Sequence, residues 1–141
     1  MRQLQNGISE EGLSFAETTD RDYADVLIHF RADRNERAGM TKNYYDFSGY
    51  ITKSYVLISE GGFGFGFSDD QIEQIAKHEM GHALGLGHSY DEKRLMADIV
   101  IEDRTEDISK CEVNGVLEAN QWKLVNAGHI PRPPMKAYSI C

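Results

Sequence analysis

Two cysteines, Cys111 and Cys141, are all that this 141-residue chain contains, so at most one disulfide can form and a disulfide-framework domain is excluded. Long apolar runs are absent as well. Nothing approaches the roughly 18 consecutive apolar residues of a membrane span, and Met1-Arg2-Gln3 opens no apolar signal segment. The chain is therefore expected in the cytoplasm, or as a processed portion of a secreted protein. Basic residues are scarce, 15 Lys and Arg against 23 Asp and Glu, which leaves a formal charge of −8 and a pI near 5.0. Such a balance argues against a nucleic-acid partner or an anionic membrane surface. An acidic surface suits basic substrates or calcium but ordinarily signifies only solubility, and no structural calcium is indicated. The glycines of GGFGFGF, Gly61 to Phe67, follow neither G-x-G-x-x-G nor P-loop spacing, so a phosphate cradle is excluded. There is no internal repeat, and the length suits one domain with a real core.

What is present is concentrated in HEMGHALGLGH, His78 to His88, with Met96 eight residues beyond. On a helix His78 and His82 stand one turn apart on one face and can grip one metal ion. Glu79 projects about 100° away, an offset suited to a base that handles the metal's water without ligating the metal. Gly85 follows the second histidine, where a left-handed residue can turn the backbone sharply and return His88 as a third ligand. Three neutral imidazoles leave a fourth tetrahedral position open for water, the arrangement of a catalytic zinc site rather than a closed structural one.

The pattern H-E-x-x-H-x-x-G-x-x-H followed by Met resembles the metzincin zinc endopeptidases. Ser89 after the third histidine is similar to the matrixins among them, as are LSFAE with ADVLIHF, then AGMTKNYY, then YITKSYVLIS. The resemblance implies one catalytic zinc held by His78, His82 and His88, Glu79 as general base, Gly85 as turn glycine and Met96 as the floor of a Met-turn. It also implies an edge strand over 38–45 that holds an extended protein or peptide substrate, and a pocket beyond the scissile bond lined by Ile75, Ile99 and Val100. Asp98 stands where matrixins usually carry proline, and neither an H-x-D zinc set nor a PRCG-type inhibitory segment is present. The family's first strand and most of its first helix would lie before Met1, so the expectation is that the true chain is longer, or that the fold is a reduced version, or that MKAYSI in the tail pairs into the sheet as a substitute.

The expected fold class is α+β, a metzincin-like catalytic domain over 1–126 with a twisted mixed sheet, an active-site helix and a C-terminal helix, followed by an extended tail over 127–141. Alternating apolar residues predict strands at 13–17, 24–30 and 50–59, and 39–45, with Thr, Tyr and Tyr among Gly and Asn, is a candidate short edge strand. GGFGFGF is expected to be a bulged loop whose phenylalanines cover the core or line the cleft. Ser68 and Gln71 form a capping box ahead of a helix with Ile72, Ile75, Ala76, Met80 and Ala83 along one face. A second helix is expected over about 106–121. His29, alone on its strand, is expected to be a surface histidine, because a metal site needs several converging ligands. Function is expected to be peptide-bond hydrolysis. Two rivals remain, a zinc-binding interaction module with little or no turnover and a zinc hydrolase of small amides.

Overall fold

The computed structural model describes residues 15–32, 37–47, 49–62, 64–98 and 107–120. Among these, β1 (Val26–Arg31), β2 (Gly39–Tyr45) and β3 (Ile51–Ser59) form one sheet in the order β1-β3-β2. β1 runs parallel to the central strand β3 and β2 antiparallel to it, so the sheet is mixed as expected. A hairpin of β4 (Gly61–Gly62) and β5 (Phe65–Gly66) leads into helix α1 (Asp69–Ala83), and α2 (Lys110–Ala119) follows the site. No helix among the described residues is long and apolar enough to cross a membrane.

Each element has a local cause. Val and Ile at alternate positions of β3 turn Val56 and Ile58 to the inner face, where both are fully buried. α1 starts at Ser68, whose hydroxyl accepts from the Gln71 amide while the Gln71 side chain accepts from the Ser68 amide. Its apolar stripe, Ile75, Ala76, Met80 and Ala83, packs on Val56 and Ile58 to form the core with Leu84, Leu86, Leu95, Met96 and Val116.

Four expectations change. Residues 15–17 are not a strand, although Phe15 still packs against the core. The first strand begins at Val26 because Ala24 closes a turn on Asp20, and Phe30 near its end is exposed. GGFGFGF is a hairpin rather than a bulged loop; Phe67 reaches the core, Phe65 is exposed, and Phe63 lies outside the described residues. The second helix is shorter than 106–121, since Ser109 caps it through a second capping box with Glu112 that ends the preceding extended segment there. Cys111 is disulfide-bonded. Cys141, the tail over 127–141 and its MKAYSI segment all lie outside the described residues.

Candidate metal centre

α1 ends just after the second histidine, and the way it ends builds the site. Gly85 adopts φ 100°, its amide donates to the His82 carbonyl, and the Leu86 amide donates back to Gly81. This is a Schellman ending, which needs a residue tolerant of positive φ at that position. The remaining helix-end carbonyls are taken by neighbouring elements. Asn43 of β2 donates to His82 O at 2.8 Å, Ser54 of β3 lies 3.3 Å from Ala83 O, and Asn120 after α2 donates to Leu84 O at 2.8 Å. A helix end buried in this way must have every carbonyl satisfied, and here sheet and second helix supply the donors.

The turn brings His88 back beside the helix. The Nε2 atoms of His78 and His82 lie 3.1 Å apart, as do those of His82 and His88, and the three can offer ligand atoms within 4.8 Å of one another. Each far ring nitrogen faces an acceptor. His78 Nδ1 donates to Leu95 O at 2.8 Å and His82 Nδ1 to Leu86 O at 2.8 Å. His88 Nδ1 sits 3.4 Å from the Asp98 carboxylate. With Nδ1 carrying the proton, Nε2 presents a lone pair, so neutral imidazoles would aim three lone pairs at one point. That arrangement is repulsive unless a cation occupies the point. Two nitrogens at ~2.0–2.1 Å from a tetrahedral zinc stand about 3.3 Å apart, close to the spacing seen. The donor set therefore fits zinc. Burial, partly opposed by the carbonyl bonds, holds His78 and His82 below the usual histidine range, which favours the neutral, ligating form.

Below the imidazoles, Met96 is fully buried and backed by a turn in which the Ala97 amide donates to Arg94 O; the Ser89 amide donates to Met96 O. A Cβ on Gly81 would collide with the Met96 sulfur, so the glycine between His78 and His82 exists to admit that methionine. On the far side, α2 supports the turn through small residues. A Cβ on Gly115 would meet Leu86 Cδ2 at 2.8 Å, and one on Gly85 would meet Ala119 Cβ at 2.8 Å.

Glu79 turns away from the imidazoles toward β2. Its carboxylate accepts a hydrogen bond from the Thr41 hydroxyl at 2.6 Å, and that hydroxyl lies 2.9 Å from the Glu79 main-chain oxygen. Burial raises its pKa, partly offset by the Thr41 hydrogen bond and by His82 and His88. A carboxylate whose pKa is raised by burial is a stronger base than an exposed one.

His78, His82 and His88 thus converge, with Glu79 held against β2 and Met96 buried against Gly81. His29 is exposed on β1 and outside the cluster. Ile75, expected to line a pocket, is only 2% exposed and packs in the core. Ile99 and Val100 lie outside the described residues. The residues that sequence reasoning missed are Gly39, Thr41 and Asn43, which alternate along β2 and face α1, together with Ser54 and Asn120. For the three on β2 the signal was the period-2 run of small side chains in AGMTKNYY, which reads equally well as a solvated face.

Comparison with known proteins agrees with this geometry. Residues 59–119 match the matrixin family. Metalloendoproteinase 1 of Glycine max is 32% identical over 106 residues, 74% of this chain and 27% of that protein. The chain therefore spans about a quarter of the length of that curated relative.

Proposed function

We propose, from the premise that the chain is a matrixin-like metzincin, that it is a zinc-dependent endopeptidase acting on extended polypeptides. The observation that carries this reading is the convergence of three Nε2 atoms whose Nδ1 positions all face acceptors, beside a buried carboxylate. A zinc ion held by His78, His82 and His88 supplies Lewis-acid polarisation of a carbonyl and an acidified water. Glu79 takes a proton from the attacking water on its carboxylate and passes it to the leaving nitrogen. Met96 shapes the apolar floor that keeps the imidazoles in place.

β2 is suited to hold the substrate. Ser59 donates to Ala38, so in this antiparallel ladder Ala38, Met40, Lys42 and Tyr44 pair with β3. The main-chain groups of Gly39, Thr41 and Asn43 then point to the outer edge, which has no partner strand among the described residues. An unpaired edge recognises an extended main chain with little regard to its sequence. Intact Glu79 favours this enzyme over a metal-binding module without turnover.

The test is digestion of casein by the zinc-loaded protein with and without a chelator, alongside Glu79→Gln. Cleavage that stops with chelator, and a Glu79→Gln protein that keeps one zinc but loses turnover by two or more orders of magnitude, are the expected results. A fully active Glu79→Gln protein would remove the glutamate from the mechanism, and zinc-loaded wild type without cleavage would favour the interaction module.

A further inference from the structure

We infer that Thr41 is a positioning residue for Glu79, one whose single hydroxyl stays bonded to that glutamate through both protonation states of the reaction. This rests on the reading of Glu79 as the general base. The hydroxyl has two partners on the same residue, the carboxylate oxygen Oε2 at 2.6 Å and the main-chain oxygen at 2.9 Å. A hydroxyl has one proton and two lone pairs. While Glu79 is a carboxylate, the Thr41 proton points at Oε2. Once Glu79 has taken a proton from water on its other carboxylate oxygen, the Thr41 hydroxyl goes on donating to Oε2 or to the Glu79 carbonyl. No bond to Thr41 is lost between the two states. The carboxyl plane therefore keeps its aim between taking the proton and delivering it.

The neighbouring residue makes this packing possible. A Cβ on Gly39 would stand 2.6 Å from Glu79 Cγ and Oε1, so the bare Cα of Gly39 provides the space in which the carboxyl lies. Gly39 and Thr41 are alternate residues of β2, so both face α1 while their main-chain groups face the open edge. The strand suited to fix the register of a substrate is thus also the strand that fixes the base. Because the Thr41 side chain and main chain serve these two ends separately, a side-chain substitution should alter the chemical step and leave substrate pairing intact.

Thr41→Val keeps the shape and strand preference of threonine and removes the hydroxyl; Thr41→Ser keeps the hydroxyl. On a peptide substrate, Thr41→Val should lower kcat about tenfold or more, the size expected for losing a hydrogen bond to a charged group, with KM within about twofold. Thr41→Ser should restore most of the rate, and both should bind one zinc. The second readout needs no turnover: the dissociation constant of acetohydroxamate, a chelating acid whose proton a carboxylate beside the metal can accept. Thr41→Val should weaken it about three- to tenfold in the wild-type background, and not at all when combined with Glu79→Gln. Unchanged kcat and hydroxamate affinity in Thr41→Val, an equal loss in Thr41→Ser, or the same weakening in the Glu79→Gln background would overturn the proposal. Glu79→Gln that retains full turnover marks failure of the general-base reading itself, and that single variant identifies it.

Discussion

Replacing Gly85 with alanine strikes the point where helix end, metal ligands and second helix meet, and two separate costs can be read off the structure. The first is backbone strain. Gly85 sits at φ 100°, where a Cβ costs about 1–2 kcal/mol. The second is steric: the new Cβ would lie 2.8 Å from Ala119 Cβ, a rigid atom on the α2 backbone rather than the free end of a long side chain. Relieving that overlap takes a shift of α2 or of the turn, at about 1–3 kcal/mol for an overpacked site. The sum, about 2–5 kcal/mol, is a large share of the ~5–15 kcal/mol that holds a domain together. At about 3–4 °C per kcal/mol for a chain of this size, Tm should fall by about 10 °C. Pairing the change with Ala119→Gly separates the terms. The double variant should recover the steric share and retain the backbone share, so the thermodynamic cycle should show a coupling of about 1–3 kcal/mol. Zinc affinity, measured by competition with a chromophoric chelator, should also drop about tenfold or more, because displacing the Leu86 carbonyl frees the His82 ring. A Gly85→Ala protein that melts within 1–2 °C of wild type (~0.5 kcal/mol), or a cycle with no coupling, would refute the reasoning about this turn.

Further outcomes follow from the same geometry. His88→Ala should cost most of the bound zinc after dialysis while His29→Ala costs none, since only the first belongs to the cluster; equal metal content in the two variants would refute the ligand set. Metal-free protein should lose stability as pH falls below about 6.5. Burial holds the folded His78 and His82 low, so the unfolded chain takes protons first and its share grows. Glu79 acts in the opposite sense, since its raised pKa makes a cost that is present at neutral pH and relieved on acidification, but it is one group against two. Urea midpoints of chelator-treated protein should therefore be lower at pH 5.5 than at 7.5, and the reverse order would contradict this assignment.

The parts of the fold that were legible in the sequence are those with a strong local signature. The Ser68–Gln71 box located the start of α1 to the residue, and the glycine after His82 located its end. β3 was clear because Val56 and Ile58 alternate with Tyr55, Leu57 and Ser59, while β2 was legible only as a candidate edge strand from its Thr and Tyr content. The C-terminal helix was drawn too long because apolar spacing continued beyond its ends, whereas the Ser109 cap that limits it is a hydrogen-bonding event. Ile75 was assigned to a pocket by its position in the family resemblance, and its helical phase puts it on the core face with Ala76 and Met80. The period-2 polar run around Thr41 and Asn43 was visible, but nothing in it, or around Ser54, told what those side chains satisfy. Their work is to satisfy polar groups on another element, and which groups need a partner emerges only when the chain is folded.

The closing of the α1 C-terminus by donors from β2, β3 and the end of α2 also bears on the stage of folding at which the three imidazoles come together. The same turn that these three donors fix is the one that presents His82 and returns His88. A chain whose sheet has formed but whose last helix has not docked leaves Leu84 O unanswered and the third imidazole unplaced. The organised imidazole trio is thus a property of the assembled domain rather than of the motif alone.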